Sequence, residues 1–305
     1  MSAAAESEID AMQRCASCGI AGGDDIKLKR CNACHLVKYC SVKCHKDHRP
    51  KHKKECKKRA AELRDELLFK QPESSCFGDC PICCLPLSID KQKSMLYSCC
   101  SKVICNGCSY TDDEGRHQHK CPFCREAKPD TDEQIHRQTM KRIEANDPVA
   151  MREMGLKRYG EGDYKSAFEY LSKAAALGDA DAHFQLSCLY YDGEGVEKDE
   201  KKDLHHLTEA AIGGHPEARY NLGLTEEAND RLDRAAKHWI IAAKLGDDLS
   251  LGFVKDLYKD GHVSKEDFSS ALRGYQTAII AMKSPQREEA EKRREEVAER
   301  ERRGM

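Results

Sequence analysis

The chain has 305 residues, of which 34% are charged and 6% are aromatic. That length suits two or three domains, and so few aromatic side chains favour small modules or helical repeats over one large aromatic core. The formal net charge of −2 argues against general attraction to nucleic acid, and the lack of any run of about 18 apolar residues argues against a membrane span.

Cysteine is the most informative residue type, because 17 of the 18 cysteines lie between Cys15 and Cys124. The acidic start, Met1 to Asp10, has no apolar run, so we expect no signal peptide and a location in the cytoplasm, the nucleus or both. In a reducing compartment, dense cysteine pairs are typical of metal ligands rather than disulfides.

The first cysteine cluster occupies residues 15–56, which we call the first cysteine module. Its pattern offers eight ligands, enough for two tetrahedral zinc ions. A segment this short buries too little apolar surface to fold alone, so we expect it to be unfolded without zinc. The eight residues are Cys15, Cys18, Cys31, Cys34, Cys40, Cys44, His52 and Cys56.

This pattern, with Tyr39 and Ser41 flanking Cys40, resembles the MYND zinc finger. The resemblance implies short proline-containing peptides as ligands, and an interleaved pairing. One site would hold Cys15, Cys18, Cys40 and Cys44, and the other Cys31, Cys34, His52 and Cys56. His48 stands where the family often has tryptophan, so the peptide groove is expected to differ. We expect His35, His45 and His48 to be surface side chains. The basic run from Lys46 to Arg59 is expected to be a solvated helix face, with nucleic-acid contact or nuclear import as the alternative.

The second cluster falls in residues 76–128, which we call the second cysteine module. Its pairs are Cys80 and Cys83, Cys99 and Cys100, Cys105 and Cys108, and Cys121 and Cys124. The ends, Cys-Pro-Ile-Cys and Cys-Pro-Phe-Cys-Arg, resemble a RING finger. That family's cross-brace implies one site of Cys80, Cys83, Cys105 and Cys108, and a second of Cys121, Cys124 and the central pair.

The centre departs from that family, because Lys102 stands where a RING has a histidine or cysteine ligand. Cys99 is the nearest replacement, and His117 or His119 remain alternatives. Cys76 and Cys84 are expected to be structural or free thiols.

RING fingers of ubiquitin ligases hold a ubiquitin-conjugating enzyme and do no covalent chemistry themselves. The resemblance implies that Ile82 and Pro122 contact that enzyme and that Arg125 braces ubiquitin, for which its five donors are suited. The other interpretation is that Ile82 packs in a small core and Arg125 is a solvated charge.

Two further segments are rich in charged residues, one between the modules and one after the repeats. In residues 57–75, Ala60, Leu63 and Leu67 predict a short amphipathic linker helix that ends before Pro72. Residues 284–305 are almost entirely Glu, Arg and Lys, which predicts a solvated helix or a frayed tail.

Residues 147–282 contain a repeat in which Gly178, Gly214 and Gly246 recur after paired alanines. Such a period is typical of stacked helix pairs, with a left-handed glycine where one helix stops. The string from Tyr190 to Val196 resembles a Sel-like repeat, a relative of the tetratricopeptide fold, which implies a solenoid that binds peptides or helices. We expect Leu186, Leu189, Tyr220 and Leu222 in the core, Cys188 as a buried thiol, and no metal at His183, His205, His206 or His215.

The predicted fold is therefore multi-domain: two small zinc-stabilised modules, one like a MYND finger and one a RING-like cross-brace, followed by an all-α solenoid. About four zinc ions per chain are expected. The leading hypothesis is a ubiquitin ligase that recruits substrate through the first module and the repeats. The alternative is a non-enzymatic scaffold or transcriptional co-regulator that binds partner peptides. A methyltransferase is disfavoured because helical repeats fill the chain that a catalytic domain would need.

Overall fold

The computed structural model describes residues 14–113 and 120–304, except the side chains of 111–113. His117 and His119 lie outside the described residues. The chain divides into two compact units, Met1–Lys70 and Gln71–Met305, which are treated separately. Within the described ranges, no helix combines the length and apolar character needed to cross a membrane.

The first unit contains a two-stranded antiparallel sheet and one long helix. Strands β1 (Lys29–Arg30) and β2 (Lys38–Tyr39) pair with Lys29 opposite Tyr39. Helix α1 (Val42–Leu68) begins at Ser41, whose hydroxyl accepts a hydrogen bond from the backbone N–H of Cys44 at 3.2 Å. Such an N-cap satisfies one of the free N–H groups at the start of a helix.

The predicted linker helix over residues 57–75 is wrong in its boundaries. Residues 57–68 are the second half of α1, which continues from the ligand-bearing segment without a break. The predicted apolar stripe is also displaced, because Leu67 is 52% exposed and Leu68 is buried. Acid–base pairs within the helix, such as Arg59 with Glu66 at 2.9 Å, support its exposed faces.

The second unit opens with the second cysteine module, built around a hairpin and a short helix. After a 3₁₀ turn (Lys91–Lys93), strands β3 (Ser94–Tyr97) and β4 (Lys102–Cys105) pair with Ser94 opposite Cys105. Helix α2 (Asn106–Asp113) follows β4 directly. The loop between the strands carries Cys99 and Cys100 and closes at Ser101, which has a positive φ of 54°.

The rest of the second unit is helical, and its helices pack in consecutive antiparallel pairs. Helix α3 leads from the second cysteine module into the pairs α4/α5, α6/α7, α8/α9 and α10/α11, and α12 ends the chain. The bounds are α3 Asp132–Glu144, α4 Pro148–Gly160, α5 Tyr164–Ala176, α6 Ala180–Asp192, α7 Glu200–Ile212, α8 Pro216–Glu227, α9 Leu232–Lys244, α10 Asp248–Lys259, α11 Lys265–Ala281 and α12 Pro285–Arg302.

The connection before each first helix of a pair has one recurring geometry. Gly178, Gly214 and Gly246 have φ of 89°, 84° and 102°, which confirms the predicted left-handed positions. Asn146, at φ 57°, takes the same place before α4, as asparagine tolerates this conformation. The next residue caps the following helix in all four cases, and these caps are Asp147, Asp179, His215 and Asp247.

The solenoid core consists mainly of alanine and leucine, with valine, methionine and a single tryptophan. Leu186, Leu189 and Leu222 are buried and Tyr220 packs against the core from its edge, as predicted. Trp239 on α9 is fully buried and donates its indole N–H to the carbonyl oxygen of Tyr220 at 3.2 Å.

A matched pair of glycine substitutions tests this packing. An ideal Cβ on Gly223 in α8 would lie 2.2 Å from Nε1 of Trp239, whereas one on Gly252 in α10 would meet no atom within 4 Å. We expect Gly223→Ala to lower the free energy of unfolding by about 1–3 kcal/mol through overpacking. Gly252→Ala should raise it by roughly 0.5–1 kcal/mol through helix propensity. Urea unfolding followed by circular dichroism measures both, and effects of the same sign would contradict the packing.

The second cysteine module lies against the repeats. The Lys91 ammonium forms an ion pair with Asp181 at 3.0 Å, and the backbone N–H of Cys76 donates to the carbonyl of Gly214 at 3.0 Å. The Phe77 ring meets the buried His215 ring edge-on, with centroids 5.6 Å apart. The module and the repeats therefore share a packed boundary.

The charged helix predicted at residues 284–305 is present as α12, but the expectation that it is solvated on all sides or frayed is wrong for the part that the structure describes. Helix α12 packs along α2 of the second cysteine module, and its Ala290 is only 5% exposed. Polar contacts, mostly of arginine side chains, hold it there. The helix has no apolar stripe, and for that reason its sequence did not predict docking.

Candidate metal centres

Four of the five Cys-x-x-Cys pairs in the two cysteine modules form knuckles that share one backbone geometry, while the fifth, Cys105 and Cys108, lies at the start of α2. In each knuckle the N–H of the residue after the second cysteine donates to the carbonyl of the first cysteine, at 2.8–3.0 Å. That residue has a positive φ in every case, and the four are Gly19, His35, Cys84 and Arg125. His35 and Cys84 are thus turn residues outside the ligand clusters, and both are exposed.

In the first cysteine module the eight predicted ligands come together as two groups of four. Cys15, Cys18, Cys40 and Cys44 form one group, and Cys31, Cys34, His52 and Cys56 the other, with ligand atoms of each group within 4.8 Å of one another. Both groups use α1, which carries Cys44, His52 and Cys56. This is the interleaved pairing that the MYND resemblance implied.

The second cysteine module also brings its ligands together as two groups. One contains Cys80, Cys83, Cys105 and Cys108, and the other contains Cys99, Cys100, Cys121 and Cys124. Sγ of Cys99 lies 3.4 Å from Sγ of Cys124, so the structure places Cys99 at the position left open by the sequence. Lys102 points elsewhere, and its ammonium lies over the Phe123 ring at 5.8 Å from the centroid.

The spacing of these atoms fits zinc. With Zn–S bonds of about 2.3 Å, the sulfur atoms of a tetrahedral site lie about 3.8 Å apart. The observed Sγ–Sγ distances include 3.5 Å for Cys18 with Cys40, 3.7 Å for Cys31 with Cys56 and 3.8 Å for Cys83 with Cys105. Three clusters offer four thiolates, and the fourth offers three thiolates with one imidazole. Zinc prefers both donor sets, so about four zinc sites per chain follow.

The electrostatics of the thiols favour a bound cation. Burial raises the pKa of Cys15, but backbone N–H groups outweigh burial and lower that pKa to about 6. The neighbouring thiols of Cys18 and Cys44 instead raise the pKa of Cys40 to about 12. Four thiols at this separation cannot all ionise without a cation between them, and a divalent metal removes that conflict.

His45 is exposed as predicted, whereas His48 is half-buried, and both rings contact Tyr39. Nδ1 of His48 lies 3.1 Å from the Tyr39 hydroxyl, and its ring stacks on the ligand His52 with centroids 5.7 Å apart. The His45 ring packs against Tyr39 with centroids 4.9 Å apart. His48 therefore packs between Tyr39 and His52, a contact signalled by its position four residues before His52 on one helix face.

The histidines of the repeats also have partners. Nδ1 of His183 lies 2.9 Å from Nδ1 of His206, and the His205 ring is next to it with centroids 5.1 Å from that of His206. His215 is buried and reaches Asp181 at 3.3 Å. In residues 14–113 and 120–304, the only groups of three or more close ligand atoms are the four cysteine-rich clusters. Cys188, predicted to be buried, is half-buried at the edge of a cavity.

The three residues assigned to a conjugating enzyme line one groove of about 330 Å³. Ile82 comes from one knuckle, is 42% exposed and faces the groove from one side. Pro122 is buried, and Arg125 is exposed at the end of another knuckle. Ile82 therefore meets residues at least 40 positions further along the chain, because the two knuckles are held by interleaved clusters.

Comparison with known proteins identifies two parts of the chain. Residues 15–56 match the MYND finger, and residues 148–179, 180–215 and 216–247 match the Sel1 repeat. These matches confirm the predicted MYND finger and the predicted repeats.

Two curated proteins from two strains of Helicobacter pylori, both named "Putative beta-lactamase HcpC", are similar to part of the chain. One is 43% identical over 56 residues, covering 18% of this chain and 19% of that protein. The other is 42% identical over 52 residues, covering 17% and 18%. The chain therefore spans about a fifth of the length of these relatives.

Two solved structures are also similar. A Sel1 repeat protein from Oxalobacter formigenes has 27% identity and a TM-score of 0.42, covering 57% of this chain and 71% of that one. The protective antigen c5321 of uropathogenic Escherichia coli, described as displaying an SLR fold, has 22% identity and a TM-score of 0.39, covering 62% and 39%.

These findings define the class of protein. The chain is a zinc-binding protein-interaction protein in which a MYND finger is combined with Sel1 repeats in a helical solenoid.

Proposed function

We propose that this protein is a RING-type ubiquitin ligase of the cytoplasm or nucleus. The second cysteine module would hold a ubiquitin-conjugating enzyme, while the MYND finger and the Sel1 repeats recruit the substrate. The observation that carries the proposal is the shared groove of Ile82, Pro122 and Arg125 between two knuckles with interleaved ligand clusters. In this role the sixteen cluster residues bind zinc and do no chemistry on the substrate.

The groove is suited to bind and orient a protein partner. The exposed Ile82 offers apolar surface beside a rigid knuckle. The left-handed turn at Arg125 places its guanidinium at the rim, where its donors can bridge carbonyl groups of two bound proteins. Fixing a thioester in one orientation in this way accelerates its transfer without a catalytic group on the ligase.

Two further surfaces support substrate recruitment. In the MYND finger, Tyr39, Val42 and His45 line a groove of about 280 Å³, and Val42 is 71% exposed. In the repeats, Cys188, Tyr191 and Asn221 line a cavity of about 470 Å³ between successive helices. Exposed apolar and aromatic side chains at such concave places are typical of peptide-binding sites.

Autoubiquitination tests this function directly. Purified full-length protein is incubated with a panel of ubiquitin-charged conjugating enzymes, and Ile82→Ala and Arg125→Ala should each slow the reaction by about tenfold or more, as for central interface residues. Ile135→Ala is the matched control, because Ile135 on α3 is also 42% exposed and lies outside the groove.

The same assay separates the alternative function. A scaffold or transcriptional co-regulator would use the MYND finger and the repeats for binding only. Absence of ubiquitin transfer by the unmutated protein and by a chain that stops after Lys283, across the panel, would defeat the ligase and leave the scaffold.

A further inference from the structure

The C-terminal helix α12 lies directly on the central helix of the second cysteine module. An ideal Cβ on Gly107, the second residue of α2, would lie 2.8 Å from the backbone nitrogen of Arg287 and 2.9 Å from the carbonyl carbon of Gln286. The two backbones can therefore approach this closely only because residue 107 has no side chain.

Arg287 fastens the start of α12 to the knuckle that carries Ile82. Its Nη1 donates to the carbonyl of Pro86 at 2.6 Å, and its Nη2 donates to the carbonyl of Leu85 at 3.1 Å and to Sγ of Cys83 at 3.4 Å. One guanidinium thus binds three acceptors of the same turn, and hydrogen bonds from a charged donor are the stronger kind.

Further contacts follow along α12. Arg293 donates to the Tyr110 hydroxyl at 2.7 Å and lies 4.7 Å from the centroid of the same ring. Glu291 forms an ion pair with Lys93 at 2.7 Å, and Arg294 donates to the carbonyl of Gln92 at 2.6 Å. Almost all of these contacts are polar and Ala290 is the buried apolar residue, so the helix is attached without a large hydrophobic contribution.

The start of this segment also enters the groove assigned to the conjugating enzyme. Ser284 and Gln286 line the same cavity as Ile82, Pro122 and Arg125. A partner that contacts both knuckles and the N-terminal end of α2 would have to displace the start of α12, which packs against Gly107. We propose that residues 284–304 are an intramolecular cover that must leave α2 before a conjugating enzyme can dock, which rests on the ligase function proposed above.

Truncation tests the cover. The full chain is compared with a chain that stops after Lys283, by binding of ubiquitin-charged conjugating enzymes and by the rate of ubiquitin discharge onto free lysine. If the uncovered state is a minor population of at most about 10%, truncation should strengthen binding and speed discharge by about tenfold or more. Arg287→Ala should give part of this gain, whereas Arg300→Ala, an exposed arginine on the same helix, should give none.

Each other outcome has a defined meaning. Equal discharge by the full and truncated chains would overturn the cover and leave the ligase intact. Failure of both chains to bind or discharge any conjugating enzyme would defeat the ligase and the cover together. Loss of zinc from the truncated chain, measured by native mass spectrometry, would overturn the cover by showing that α12 is an integral part of the Cys83 site.

Discussion

Stripping zinc with a strong chelator at neutral pH should unfold the first cysteine module while the helices from Pro148 to Ala281 remain folded. The buried core of this module consists of three ligand cysteines and Tyr39, namely Cys15, Cys31, Cys34 and Tyr39. Structural zinc contributes about 10–16 kcal/mol in comparable small modules, which matches or exceeds the whole stability of an ordinary domain. Amide hydrogen exchange followed by mass spectrometry measures the two regions in one experiment.

A pair of cysteine variants controls for side effects of the chelator. Cys31→Ala removes a buried ligand and should abolish exchange protection in residues 14–56 even with zinc present. Cys84→Ala removes an exposed thiol outside the four clusters and should leave the protection unchanged. Full protection of the first module after chelation would contradict the assignment of its cysteines to zinc.

Asp181→Ala should lower the free energy of unfolding of the second unit by about 3–5 kcal/mol, the usual cost of removing one partner of a buried ion pair. The Asp181 carboxylate is 5% exposed, accepts hydrogen bonds from Lys91 at 3.0 Å and His215 at 3.3 Å, and forms an ion pair with Arg152 at 3.4 Å. These groups come from the second cysteine module and from successive repeats, so the substitution loosens the boundary between them. Urea unfolding measures the loss, and Asp256→Ala, which breaks an exposed pair with Lys259, should cause no measurable change.

The pH dependence of this loss has a defined sign. Burial alone would raise the pKa of Asp181, but the hydrogen bond from His215 and the charges of Arg152 and Lys91 outweigh burial and hold the pKa below its usual range. The stabilisation is therefore fully present above the pKa of about 4 that the carboxyl has in an unfolded chain, and it is lost as pH falls towards the lower folded-state pKa. The difference between the variant and the unmutated protein should shrink below about pH 4, and a difference that grows there would contradict this network.

Local patterns predicted much of the molecule. The Cys-x-x-Cys gaps indicated the knuckles because two residues are enough to bring both thiols to one metal. The recurring glycines indicated the solenoid because each marks a left-handed residue between helices, and Asn146 repeats that signal in another residue type. The sequence also favoured Cys99 over the alternatives beside Lys102, and the structure places Cys99 in that cluster.

The sequence did not predict the docking of α12, the full length of α1 or the contact between His183 and His206. Nothing in the Glu- and Arg-rich residues 284–305 indicates a docked helix, because Arg287 binds backbone carbonyls that belong to no side-chain pattern. The sequence predicted a separate linker helix from residue 57, because the change from cysteine-rich to charged composition there indicated a boundary, whereas helix α1 runs unbroken from Val42 to Leu68. The partnership of His183 with His206 depends on the packing of α6 against α7, which periodicity alone does not define.

Native mass spectrometry of the full chain, made in a reducing cell and purified without added metal, measures whether the cysteines bind zinc. We expect four zinc ions per chain, bound by the four cysteine-rich clusters. A mass without stoichiometric zinc, or one showing paired disulfides in place of metal, would contradict this expectation.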